Sequence, residues 1–155
     1  MNLNQVKSNV SAILASLLFA WIIGLHASQA QTPEESSLIA HLVKGANMPG
    51  AHSEGDVYLL VKVGKIEYIT ELASGAVVDQ RNAGVIGGGI CGDYAEVSLN
   101  LLDKNKQETA QGAGQVLKVN KGKWKMIALS EGDYACEKLK GISKAVLACL
   151  NVECY

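Results

Sequence analysis

Four cysteines constrain this chain more than any other feature. Cys91, Cys136, Cys149 and Cys154 all lie beyond residue 90, and what they can form depends on the compartment. The first thirty residues, MNLNQVKSNVSAILASLLFAWIIGLHASQA, bear on that. Lys7 and no acid mark the start, Ala12 to Leu25 is an apolar run, and Ser28 and Ala30 stand at the minus-three and minus-one positions of a cut after Ala30. This is the pattern of a secretory signal peptide. An uncleaved anchor would have to stretch Val10–Ala27 toward the roughly 20 residues of a bilayer span. Gly24 and the polar Ser28-Gln29 favour cleavage. The expectation is a signal over 1–30 and a single secreted or periplasmic domain over 31–155, with no membrane contact after cleavage.

An even cysteine count in a small exported chain reads as two disulfides. Metal ligation is the rival. No C-x-x-C pair occurs, and His41 and His52, the histidines beyond the signal, are not beside a cysteine. Neither a metal nor a cofactor is expected. Spacing leaves three pairings open. A helical hairpin formed by 137–140 and 144–150 around Gly141 would bring Cys136 to Cys149 and leave Cys91 for Cys154. Beyond the signal 13 basic residues (14 less Lys7) face 15 acidic ones, a net charge of −2. Such a balance carries no footprint for nucleic acid. An unknown protein or a small molecule is the expected partner.

Thr32-Pro33-Glu34-Glu35 is a helix start, with a capping threonine, a proline that needs no donor and acids at the positive helix end. Leu38, Ile39, Leu42, Val43 and Ala46 then share one face, so a helix is expected over about 33–46, with His41 on its wet side. Asp56–Val63 and Ile66–Leu72 read as a strand pair turned at Gly64-Lys65. Ala76–Val78 reads as a short third strand, followed by a polar break over Asp79–Asn82. Gln115–Val119 and Lys123–Leu129 flank Lys121-Gly122 as a hairpin. Leu117, Val119, Ile127 and Leu129 are expected on one of its faces, with Trp124, Met126 and Ala128 on the other. Six lysines between 104 and 125 read as edge protection.

Gly87, Gly89 and Gly92 in VIGGGICG satisfy the G-x-G-x-x-G of dinucleotide-binding folds, where a strand, a tight turn and a helix N-terminus follow one another. Binding there would need a helix after Gly92. The run DYAEVSLNLLDK fits both periods, but Asp93 would repel a phosphate and no acid closes the next strand. A strand over Asp93–Leu102 is the preferred reading, with the glycines serving backbone packing around Cys91.

Gly92-Asp93-Tyr94-Ala95-Glu96-Val97-Ser98-Leu99, then Gly114–Val119, then Gly122-Lys123-Trp124-Lys125-Met126-Ile127 resembles the final sheet of small exported bacterial domains of nuclear-transport-factor-like or cystatin-like architecture. The resemblance covers about residues 92–129. It implies an α+β fold in which the N-terminal helix packs on a curved antiparallel sheet, here with a disulfide-linked helical tail at the C-terminus. Some members bind small ligands or catalyse isomerisation in the sheet cone.

No catalytic constellation is legible. An isomerase-type pocket needs a carboxylate base and a facing donor, for which Tyr58, Tyr68, Asp93 and Tyr94 are the candidates. The leading expectation is a non-enzymatic binding or interaction module. The alternative is a small-ligand or isomerase-like domain with a pocket in the sheet cone, and the remote one is a dinucleotide-binding protein through Gly87–Gly92.

Overall fold

The computed structural model describes residues 30–84 and 88–154; the expected signal peptide and Gly87 lie outside them. Helix α1 runs from Pro33 to Ala46 and is capped as its sequence requires. Thr32 Oγ1 accepts from the Glu35 amide at 3.1 Å, and the Thr32 amide donates to Glu35 Oε2 at 2.8 Å. Two of the free amides of the first turn are thereby satisfied. At the far end, Asn47 Nδ2 donates to the Leu72 carbonyl at 2.7 Å, which ties the helix end to the sheet.

Seven strands follow: β1 (Tyr58–Val63), β2 (Ile66–Glu71), β3 (Val77–Asn82), β4 (Gly89–Cys91), β5 (Tyr94–Leu102), β6 (Ala113–Asn120) and β7 (Lys123–Ser130). They form one antiparallel sheet in the order β3-β2-β1-β5-β6-β7, with β4 also paired to β5. One edge of β5 is shared. β1 pairs with Val97–Leu102, and β4 takes up the remainder at Tyr94–Glu96. Two-residue loops join three of the hairpins. Gly64, Gly92 and Lys121-Gly122 supply the positive φ that such loops need. Gly92-Asp93 is therefore a hairpin turn, and a strand rather than a helix follows it.

Period-two alternation sorts the residues of β5 onto two faces. Ala95, Val97, Leu99 and Leu101 join Leu59, Val61, Val63, Tyr68, Leu117 and Trp124 beneath Leu38, Ile39, Leu42 and Val43 of α1. On the other face Cys91, Val116 and Ala128 pack against Tyr134, Leu139, Leu150 and Val152 of the C-terminal tail. A smaller cluster of Leu60, Ile69 and Leu102, with Tyr58 against it, covers the opposite end of that face.

Two sequence expectations fail in the sheet. The polar run Asp79–Asn82 continues β3 because β3 is an edge strand, where cross-strand ion pairs can replace burial. Lys62, Glu67 and Arg81 stand in register across β1, β2 and β3. Glu67 lies 3.1 Å from Lys62 and 2.7 Å from Arg81. The expected faces of the β6–β7 hairpin also fail. Val116 faces Ala128, but Leu117 faces Met126, so Ile127 is an extra residue and parity switches at that bulge. Leu117 and Trp124 share the helix side because the two-residue turn pairs Val119 with Trp124, while the bulge sends Ala128 to the tail side, and Leu129 is exposed.

The tail contains a 3-10 turn, Cys136–Leu139, and helix α2, Lys144–Cys149, as its periodicity suggested. Its disulfides are not the expected pairs. Cys91 bonds Cys149, and Cys136 bonds Cys154. The simple helical hairpin expected from sequence fails because the chain reverses after α2. Asn151 takes a left-handed φ of 54°, and the chain doubles back so that Cys154 bridges beside Tyr134. The Cα atoms of Cys136 and Cys154 are then 4.9 Å apart, while Cys149 lies against β4.

The Cys91–Cys149 bond spans 58 residues and the other 18. On loop-closure entropy, removal costs about 4 kcal/mol for the first and about 3 kcal/mol for the second. Denaturant unfolding of the two double Cys→Ala variants measures this ranking, and non-reducing peptide mapping checks the pairing.

Candidate functional site

Concavities that carry polar side chains lie on both sheet faces, and the larger ones occupy two places. The first lies beside α1. The helix covers β1 and β2 but leaves the start of β6 and the far half of β5 open. A groove of about 430 Å³ remains there, walled by His41, Leu42, Gly45 and Ala46 and by Met48 beyond the helix. Leu59, Leu99, Leu101, Ala113, Gln115 and Met126 form its floor. The volume is within the range of small-molecule sites, about 300–1,000 Å³. Small side chains make the room: a glycine and four alanines (Gly45, Ala46, Ala51, Ala110 and Ala113) stand where longer residues would fill the space. No aspartate, glutamate, lysine or arginine lines it. His41 is exposed, as its helix position suggested, yet it stands at the groove wall. Partial burial and the nearby Lys44 hold its pKa below the ordinary value, so the imidazole is neutral at pH 7.

The second place is the polar centre of the tail-side face. Glu96 of β5 accepts a hydrogen bond from Tyr134 Oη at 3.1 Å. Grooves of about 360 and 350 Å³ meet at this pair, and Ser98 and Gly132 line both. Glycines permit the arrangement. A Cβ on Gly88 would run into the Glu96 side chain and lie 2.5 Å from its backbone oxygen. One on Gly114 would lie 2.5 Å from Tyr134 Oη. This accounts for part of the glycine run: Gly88 passes β5 where a carboxylate occupies the space a side chain would need.

Burial pushes the Glu96 pKa up, and the Tyr134 hydroxyl draws it only partly back. Tyr134 is itself pushed above the ordinary tyrosine value by burial and by Glu96. The hydroxyl is spent on the carboxylate, so this pair pins the tail to β5 and presents no free donor to a substrate.

The four residues proposed from sequence are not brought together. Tyr68 is fully buried in the core under α1, its hydroxyl without a hydrogen-bond partner. Burial and the Glu35 carboxylate push its pKa up to about 12. Tyr58 and Tyr94 are on the opposite face. Tyr58 faces Leu102, eight residues along β5 from Tyr94, roughly 26 Å at about 3.3 Å per residue. Lys118 sits over the Tyr94 ring, 5.1 Å from its centroid, and Asp93 is exposed in the β4–β5 turn. His52 Nδ1 lies 3.0 Å from the Ser53 carbonyl in its loop, near Asp56. Among the described residues no group of three or more histidine, cysteine or acidic side chains is placed to hold a metal.

Gln115, Glu96 and Tyr134 were not singled out from sequence. A signal existed for Gln115, which interrupts the otherwise apolar helix-side positions Ala113, Leu117 and Val119 of β6. Glu96 and Tyr134 meet only through the tail, 38 residues apart.

The raised pKa of Glu96 has a defined consequence. Its folded-state value lies above the unfolded one, near 4.5. The stability this group contributes is complete below pH 4.5 and is lost as pH rises through the raised value. Glu96→Gln should therefore flatten that limb of the stability–pH profile, measured by urea unfolding; parallel profiles would count against it. Tyr134→Phe should cost about 1–3 kcal/mol at neutral pH by leaving the carboxylate without its donor.

Protein-family models, curated proteins and solved structures were all compared with this chain, and none matches it.

Proposed function

We propose that this chain is a secreted or periplasmic, non-enzymatic binding module whose recognition element is the groove between α1 and the β5–β7 floor. The disulfides support the compartment. Two of them join all four cysteines, which suits an oxidising environment. Among the described residues no helix is long and apolar enough to cross a membrane.

One observation carries the binding reading: a small-molecule-sized, mostly apolar concavity persists beside a core that is otherwise filled. The likeness to nuclear-transport-factor-like or cystatin-like domains belongs to this proposal, supported by the layout of a helix lying on an antiparallel sheet. An isomerase-like activity fits the groove less well. Proton abstraction needs a base directed at the substrate; the groove has no acidic residue, and the one imidazole on its wall, His41, is exposed on the outer side of α1. The half-buried Glu96 is on the opposite face, already engaged by Tyr134.

The neutral fluorophore N-phenyl-1-naphthylamine tests this reading. It should bind saturably, with one site per chain and enhanced emission. Ala113→Trp, at a floor position that belongs to none of the three core clusters, should weaken that binding at least about tenfold, the equivalent of 1.4 kcal/mol. Far-UV circular dichroism checks that the variant keeps its fold. Absence of saturable binding to the parent chain would overturn the reading.

A further inference from the structure

We infer that the groove takes an uncharged small molecule with an apolar body and an amide- or hydroxyl-like head, the head seated against the Gln115 side chain on the sheet floor. The inference rests on the binding reading above and adds the chemical class of the ligand. Its first ground is charge. The lining has no aspartate, glutamate, lysine or arginine, and His41 is held neutral at pH 7. A carboxylate or ammonium carried into the groove would shed water and meet no counter-charge, which is unfavourable even in a partly open site.

The second ground is an unmet hydrogen-bonding capacity. Gln115 is on the helix-side face of β6, half-buried, between the apolar Ala113 and Leu117, and Asn100 and Gln111 also line the groove. Its amide makes no hydrogen bond to any described residue, although the amide of Asn47, also on the helix side, is fastened to Leu72. An amide offers a donor and an acceptor together. A neutral head that also carries both, such as a carboxamide, satisfies it, and an alcohol does so in part. The apolar floor from Leu59 through Leu99 and Leu101 accommodates the body.

The size of the space selects the kind of occupant. A concavity of about 430 Å³ suits one small molecule. A protein partner would need a broad surface of at least about 500 Å² on this side, whereas the large apolar side chains exposed at the groove or beside it among the described residues are Met48, Met126 and Leu129, the cross-strand partner of Gln115.

Displacement of N-phenyl-1-naphthylamine by three ten-carbon amphiphiles tests the inference, using the disulfide-intact chain at pH 7. Decanamide should displace the fluorophore at concentrations at least about tenfold below those needed for decanoate or decylammonium. Gln115→Leu should weaken decanamide three- to tenfold, the loss expected of one neutral hydrogen bond, with each displacement constant corrected for that variant's own fluorophore affinity. Equal or better displacement by either charged amphiphile would overturn the inference while the groove stands as a binding site. The same holds if the fluorophore binds and no amphiphile displaces it, which would point to a partner side chain as occupant. A parent chain that binds no fluorophore would instead sink the binding reading itself.

Discussion

The strict alternation of β5 is the constraint on which the molecule depends. Nine residues send Ala95, Val97, Leu99 and Leu101 to one side and Tyr94, Glu96, Ser98, Asn100 and Leu102 to the other. The strand is paired along both edges, to β6 on one and to β1 and then β4 on the other. A central strand of this kind must be covered on both faces. A register slip of one residue would exchange the apolar row for Glu96, Ser98 and Asn100 beneath α1. The helix and the tail are two different solutions to covering the two faces.

On the helix side the solution is burial. Four residues of α1 lie under 10 % exposed against the apolar row, and the helix is fixed at both ends by its cap and by Asn47. On the tail side the apolar contribution is smaller, and covalent and polar links add to it. Cys91–Cys149 ties α2 to β4, Cys136–Cys154 closes the tail upon itself, and Tyr134 reaches the carboxylate of Glu96. A small domain with a modest core gains most from such staples, because they restrict the unfolded chain. The partial coverage by α1 is also what leaves the groove. A helix of fourteen residues spans about 21 Å at 1.5 Å per residue, and it does not extend over the start of β6.

The glycine-rich stretch shows how one motif supports different structures. Gly-x-Gly-x-x-Gly serves a phosphate only where a helix N-terminus follows it. Here the residues after Gly92 pair with both β4 and β6, so the amides are spent in the sheet. The glycines have other uses. Gly92 takes the turn conformation, and Gly88 leaves room for Glu96.

Local order was legible in the sequence because it depends on neighbours a few residues apart. The α1 boundaries, the Gly64 and Lys121-Gly122 turns and the alternation of β5 follow from capping chemistry, positive φ and period two. Features that depend on distant partners were not legible. The β6–β7 bulge reverses a face, the edge position of β3 admits a polar strand, and the reversal at Asn151 decides which cysteines meet. The candidate site belongs to the same class. Gln115 was visible as a polar residue in an apolar row, but the groove around it exists because of where α1 stops above the sheet. The sequence alone determined the first helix, the central strands and the number of staples. Tertiary packing decided the pairing of the cysteines, the faces of the last hairpin and the position of the open space, since each depends on contacts between segments that local chemistry does not connect.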